Sequence, residues 1–345
     1  MIRSFIKVLF SLAFLFGLFT NTVSAEKSTA ENNKVMNVAG QDLYVDVAAA
    51  TLWGSPNTAR PLDAPSLSNP VDLRAWTTSM SYDEKLWLVG ELETQALYGQ
   101  KVHVLEQEGD WVKVAVYGQP TPRNELGYPG WMPVSQLTTS DRFEHLDGKP
   151  FALIKSPTAW LSKTPNGKKK DLELSYNTKL PVLIKLHHSI AVLTPEGKVR
   201  WLDTKDAAVY KSESEIPGAT GEQLVKEAKK FLGLPYLWAG ASGFGYDCSG
   251  FTYTVHKANG ITIPRDSGPQ SKAGLIVNKE DLQPGDLMFF AYDEGKGRVH
   301  HVAMYAGEGM MIHSPNTAST VRIDPISTPA YAVEFAGARR YVPEQ

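Results

Sequence analysis

Apolar residues alternate with polar ones through much of the first half of the chain. Val102 and Val104, then Val112, Val114 and Val116, occupy every second position, with Glu108-Gly109-Asp110 as a turn between them. Gly127-Tyr128-Pro129-Gly130-Trp131-Met132-Pro133 follows and closes the unit near Leu137. A weaker copy runs from about Arg142 to Lys211, with short strands predicted at 151–154, 180–186, 190–193 and 198–202. Residues 54–70 carry Pro56, Pro61, Pro65 and Pro70 and read as a loop or insertion, and Asn69-Pro70-Val71-Asp72 reads as a cap-plus-proline helix start. Two small β-barrel-like domains are expected, over 41–140 with an insertion and over 141–211.

Beyond the linker 212–221 the period becomes helical. Leu224, Ala228, Phe231 and Leu232 predict an amphipathic helix over 222–232, stopped by Gly233. Phe251, Val255 and Ala258 predict a second helix from Cys248 or Ser249 to Asn259, stopped by Gly260, with Asp247 at its N-cap. Residues 299–306 and 310–314 read as strands joined by Gly307-Glu308-Gly309, so an α+β domain is expected over 217–345.

The first 25 residues follow another pattern. Arg3 and Lys7 precede an apolar run over 8–19, and Val23-Ser24-Ala25 offers small residues at a cleavage site. This is the pattern of a secretory signal peptide, and the run is short of the roughly 20 residues a membrane span needs. A flexible lead-in is expected over 26–40. The mature chain is expected to be soluble, without a span, and secreted or associated with the cell wall. With 35 basic against 37 acidic residues and a net charge of −2, no electrostatic footprint for nucleic acid is present.

One cysteine, Cys248, serves the whole chain. It cannot close an internal disulfide or supply a multi-cysteine zinc site, and its place at a helix start favours a thiolate nucleophile of lowered pKa. A partner imidazole is available if the 307–309 turn is a three-residue loop. Ala306 then faces Met310, and His301 and His313 become diagonal neighbours on one sheet face. A two-residue loop would send them to opposite faces. In this arrangement His301 acts as general base and acid and His313 orients its ring, while His300 alternates to the other face. No metal or organic cofactor is required.

Gly109-Asp110-Trp111-Val112 and Gly130-Trp131-Met132, with Arg200-Trp201-Leu202 in the second copy, resemble the hairpins of bacterial SH3-like domains. Farther on come Pro235-Tyr236-Leu237-Trp238-Ala239-Gly240, Asp247-Cys248-Ser249-Gly250-Phe251, Pro264-Arg265, the stretch from Leu282 to Phe290, His301-Val302-Ala303-Met304-Tyr305 and Met311-Ile312-His313. In this order they resemble the NlpC family of papain-like cell-wall cysteine peptidases over about 217–342. The resemblance implies a helix bearing the cysteine packed on an antiparallel sheet bearing the histidines, and cleavage of peptidoglycan peptides beside D-γ-glutamyl residues. Together with two SH3-like domains it points to γ-D-glutamyl-L-diamino acid endopeptidases, which release L-Ala-γ-D-Glu from stem peptides with a free N-terminal L-Ala.

That resemblance implies roles for further residues. The Cys248 backbone N–H and the Tyr236 hydroxyl would receive the oxyanion, and Asp247, Ser249 and Ser267 would contact substrate. Asp266 stands where most relatives carry Thr or Ser, and with Glu93 and Tyr128 of the first barrel it would receive the substrate ammonium. The expected partner is the peptide L-Ala-γ-D-Glu-diamino acid, with the wall itself as a further contact, and the chain is expected to be a monomer. Two alternatives stay open: an autolysin acting on intact wall, and a catalytically silent wall-binding protein.

Overall fold

The computed structural model of the chain describes residues 37–146 and 148–342. The expected signal peptide and most of the lead-in lie outside the described residues.

Seven antiparallel strands build the first sheet: β1 (Asp42–Val45), β2 (Ala49–Trp53), β3 (Leu92–Leu97), β4 (Lys101–Glu108), β5 (Trp111–Val116), β6 (Tyr128–Pro133) and β7 (Leu137–Thr138). The valines that alternate in the sequence are its inner face. Val102 pairs with Val116 and Val104 with Val114, and all four are fully buried, each worth about 1.5–3 kcal/mol of hydrophobic stabilisation. β1 to β3 escaped the alternation reading because β2 is buried on both faces and carries no polar face to alternate.

The second sheet comprises β8 (Phe151–Ile154), β9 (Thr158–Ser162), β10 (Lys170–Ser175), β11 (Lys179–Lys185), β12 (Ser189–Leu193), β13 (Val199–Asp203) and β14 (Ala207–Tyr210). Its order, β10-β9-β13-β12-β11-β8-β14, repeats strand for strand the order β3-β2-β6-β5-β4-β1-β7 of the first. The weaker copy is therefore a full topological repeat.

Between β2 and β3 the expected loop is largely helical, with helices at Ala64–Leu67, Leu73–Ser79 and Tyr82–Trp87. The expected cap at Asn69 is displaced to Asp72, whose Oδ1 accepts the Ala75 N–H at 2.9 Å. The helix starts there because Leu73 and Trp76 are the residues buried against Trp53.

The third unit packs helices Gly221–Ala228 and Cys248–Lys257 on one face of a six-stranded antiparallel sheet. After the short hairpin β15 (Ala241–Ser242) and β16 (Gly245–Tyr246), its strands are β17 (Leu275–Val277), β18 (Leu287–Ala291), β19 (Val299–Gly307), β20 (Met310–His313), β21 (Arg322–Pro325) and β22 (Phe335–Arg340). Their order is β17-β22-β18-β19-β20-β21. Leu224, Phe251 and Val255 from the helices meet Phe289, Val302, Met304 and Ile312 from the sheet in one core.

The barrels are docked on this unit. Trp53, Trp76, Trp111 and Trp131 share a cluster with Leu237, Ala239 and Phe244, so the first barrel's tryptophans serve the domain junction as well as their own core. The Gln95 amide oxygen accepts from Ala241 N (3.0 Å) and Ser242 Oγ (2.8 Å), and the second barrel's Ser175 Oγ accepts from Gly243 N at 2.8 Å. These bonds hold both barrels against the glycine turn that leads into Cys248.

Candidate active site

Asp247 ends the glycine turn and caps the helix that begins at Cys248, its Oδ1 accepting the Gly250 N–H at 2.6 Å. Gly250 is obligatory at that spot, since a Cβ would lie 2.0 Å from the Gly240 carbonyl oxygen. The turn and helix are thereby clamped together, with the half-buried thiol at the helix start. Its hydrogen-bonding neighbours are the backbone N–H groups of Val302, the residue after His301, and of Ser249.

The expected lowering of the thiol pKa is not what this setting produces. Burial, aided by the Asp247 charge, pushes the Cys248 thiol up to about 12, outweighing those two N–H groups and Arg265. Burial and then the neighbouring His313 hold His301 well below the ordinary imidazole range. Both shifts favour a neutral thiol beside a neutral imidazole. Alkylation of Cys248 by iodoacetamide should therefore accelerate with rising pH well beyond pH 9, in proportion to the thiolate fraction. A plateau between pH 5 and 7 would instead reveal a resting thiolate–imidazolium pair.

The histidine geometry arises by a different route from the one predicted. The connection of β19 to β20 is two residues, Glu308 and Gly309, both with positive φ (54° and 70°). Alone it would send His301 and His313 to opposite faces. A bulge between Tyr305 and Gly307 supplies the missing residue, so Tyr305 faces Met311 and Met304 faces Ile312. The parity is restored, and His301 Nε2 lies 2.8 Å from His313 Nδ1.

The relay continues into Asp324, which sequence reasoning missed. His313 Nε2 lies 3.1 Å from Asp324 Oδ2, which also accepts from Arg322 Nε at 2.8 Å. A carboxylate can only accept, so His313 carries its proton on Nε2 and its Nδ1 accepts from His301 Nε2–H. His301 Nδ1 is left as the unprotonated nitrogen. Phe290 stacks on His301 with centroids 5.6 Å apart, and Tyr331 stacks at 5.9 Å, fixing the ring plane. His300 sits in a second bulge, stacked on Tyr292 and 3.3 Å from Glu334, away from this relay.

A second missed residue is Arg265, 1% exposed. It donates from Nη2 to Asp247 Oδ2 (2.9 Å), from Nη1 to Ser249 Oγ (3.0 Å) and from Nε to Thr94 Oγ1 of the first barrel (3.0 Å). Asp247 and Ser249, read from sequence as substrate contacts, thus spend their side chains on this internal network. Tyr236 is buried, and burial, then the Cys248 and Asp247 charges, raise its hydroxyl's pKa, placing that hydroxyl in the electrostatic reach of the thiol. Ser267 opens the short helix Ser267–Gln270, half-buried beside Asp266.

Glu93, Tyr128 and Asp266 do converge across the junction. Tyr128 Oη donates to Asp266 Oδ2 at 2.9 Å, and burial raises the Asp266 pKa. Gly127, at φ 152°, makes the placement of Tyr128 possible, because a Cβ there would sit 1.9 Å from the Val116 oxygen. Glu93 is not open, however. Arg123 forms a bidentate pair with it, which sequence reasoning did not anticipate.

A thiol at a helix start and an imidazole relay on the facing sheet, in an α+β unit with two small barrels packed on it, define a papain-like hydrolase. The NlpC/P60 family model matches residues 233–340, a model described as the YKFC SH3b2 domain matches 154–210, and the chain belongs to the NlpC/P60 family. It is 54% identical to a γ-D-glutamyl-L-lysine dipeptidyl-peptidase of Bacillus cereus, over 96% of each chain. A protein of the same name from Bacillus subtilis is 41% identical over 85% of this chain and 96% of that one. A crystal structure of an NlpC/P60 family protein from Bacillus cereus superposes with a TM-score of 0.86 at 57% identity, covering 88% of this chain and all (100%) of the other.

Proposed function

We propose that the chain hydrolyses the bond between a D-γ-glutamyl residue and an L-diamino acid in short peptidoglycan stem peptides, releasing L-Ala-γ-D-Glu. The observation that carries this reading is the His301–His313–Asp324 relay beside the Cys248 thiol. It is supported by the names of the two Bacillus relatives, both dipeptidyl-peptidases acting on γ-D-glutamyl-L-lysine.

In this mechanism the thiol proton passes to His301 Nδ1 as Sγ bonds to the γ-carbonyl carbon. The oxyanion is received by the Cys248 N–H and the Tyr236 hydroxyl. His301 then gives its proton to the departing amine, the C–N bond breaks, and a water activated by the same nitrogen hydrolyses the thioester. Ser267, with Asp247 and Ser249 insofar as Arg265 leaves them capacity, lines the substrate path.

Residues 217–345 carry the chemistry, and the units at 41–140 and 141–211 shape access to it. Tyr128 and Asp266, with Glu93 once freed from Arg123, receive the ammonium of a free N-terminal L-Ala. An uncharged N-acyl group cannot replace Arg123 as the cation on Glu93 and would cover Asp266 without one, so longer or acylated stems are rejected. The N-terminal 25 residues direct export, and the mature monomer works outside the membrane or at the wall. No helix among the described residues is long and apolar enough to cross a membrane.

Mass spectrometry of digests of L-Ala-γ-D-Glu-L-Lys, its diaminopimelate counterpart and their N-acetyl forms tests this. Release of L-Ala-γ-D-Glu from the free peptides at least about tenfold faster than of its acetylated form from the acetylated ones is expected. Equal rates on free and acetylated peptides would remove the amine site. Clearing of purified walls without tripeptide cleavage would favour the autolysin reading.

A further inference from the structure

The cation beside Tyr128 is already there. Arg123 Nη2 donates to Glu93 Oε1 at 2.9 Å, Nη1 contacts the other Glu93 oxygen and reaches Tyr128 Oη at 3.2 Å, and the guanidinium carbon lies 5.2 Å from the Tyr128 ring centroid. The same Tyr128 hydroxyl is bonded to Asp266. A positive group of the first barrel thus sits on the carboxylate that a substrate ammonium would use, one hydroxyl removed from Asp266 of the catalytic unit.

The segment bearing it is anchored at its base and, Arg123 apart, bonded only locally at its tip. Residues 117–127 join β5 to β6, and their base is pinned. Pro120 O accepts from Arg265 N at 3.0 Å, and the Gln119 side chain accepts from Thr94 Oγ1 (2.7 Å) and donates to Gln95 O (2.7 Å). Apart from Arg123 itself, the tip from Thr121 to Leu126 shows only local bonds, Arg123 N to Thr121 Oγ1 and Leu126 N to Asn124 Oδ1. Arg123 is 43% exposed, and a cleft of about 430 Å³ lies beside it, lined by Leu105, Glu106, Lys113 and Trp131 among others. A displaced guanidinium has room there, and the cleft's other carboxylate, Glu106, is one it would share with Lys113, whose Nζ lies 2.9 Å from Glu106 Oε1.

We infer that Arg123 is a built-in competitor for the substrate's N-terminal ammonium: it occupies Glu93 in the resting enzyme and swings out when a free amine binds. This rests on the amine-recognition reading above. Competition by an internal group lowers the apparent affinity by the fraction of molecules in which the site is open. For a partly exposed ion pair the closed state outweighs the open one only about 1.5- to fivefold. The contact therefore sets selectivity without blocking turnover. A strong cation partner for Glu93 also keeps that carboxylate from being left unpaired in the empty site.

Steady-state kinetics of wild type, Arg123→Gln and Arg123→Lys on L-Ala-γ-D-Glu-L-Lys and its N-acetyl form decide the matter. Arg123→Gln is expected to lower KM for the free peptide about two- to sixfold with kcat unchanged, leave the acetylated peptide unaffected and so widen the preference. Arg123→Lys, which keeps the competing charge, should stay close to wild type. An unchanged or raised KM for the free peptide in Arg123→Gln overturns the inference, as does an equal fall for both peptides, which would make Arg123 a steric flap. Absence of any free-amine preference in the wild type defeats the underlying reading instead, so the two failures are told apart by the wild-type lane.

Discussion

Cys248→Ala should abolish turnover, by at least ~10³-fold in kcat, while leaving the fold intact. In the proposed mechanism the thiol forms the acyl-enzyme, and an alanine offers no electron pair to replace it. Folding tolerates the change because the residue is half-buried and opens a helix, where alanine is the most favourable occupant. The cap does not depend on it: the Asp247 to Gly250 bond and the Arg265 network involve neighbouring residues only. Peptide turnover and the urea midpoint of the purified variant check both halves. Retention of a tenth of wild-type kcat would exclude Cys248 as nucleophile, and a collapsed midpoint would show that the thiol supports the fold.

His301→Ala is expected to be nearly as damaging, about 10³-fold or more, because in the proposed mechanism it removes the nitrogen that moves the proton in both half-reactions. His313→Asn and Asp324→Ala should retain at least about tenfold more activity than His301→Ala, since each acts by fixing the next ring's tautomer. The order follows from the relay: Asp324 sets the proton on His313 Nε2, and His313 sets it on His301 Nε2. His300→Ala should be mild, as that ring stacks on Tyr292 outside the relay. Measured kcat values for the series decide. If His300→Ala proves more severe than His301→Ala, the bulged register of β19 cannot be the working one.

The neutral resting pair adds a mechanistic consequence. With the thiol raised by burial and the imidazole lowered, proton transfer has to be coupled to attack, and the base must already be in the correct tautomer when substrate arrives. His313 and Asp324, in line behind His301, hold that tautomer. It also places a buried arginine, Arg265, in a supporting role. By tying Asp247, Ser249 and Thr94 together it keeps the nucleophile's turn in register with the first barrel.

Local patterning alone determined much of this protein. The valine alternation of β4 and β5, the helical period after residue 221, the Asp247 cap and the single cysteine are short-range signals, and each depends on residues within a turn or a strand of one another. The pairing of His301 with His313 was also legible, but only as a condition on loop parity. What met that condition was a bulge at Ala306, and bulges depend on the packing of the whole sheet. Strands buried on both faces, such as β2, left no alternation to read. Contacts spanning long stretches of chain were beyond reach for the same reason. Arg265 meets Thr94 across 171 residues and Arg123 meets Glu93 across 30, whereas the approach of Tyr128 to Asp266 across 138 was expected only through the family resemblance. The sequence names the ionisable groups, but their pairing and desolvation arise only when the two barrels and the catalytic unit pack together.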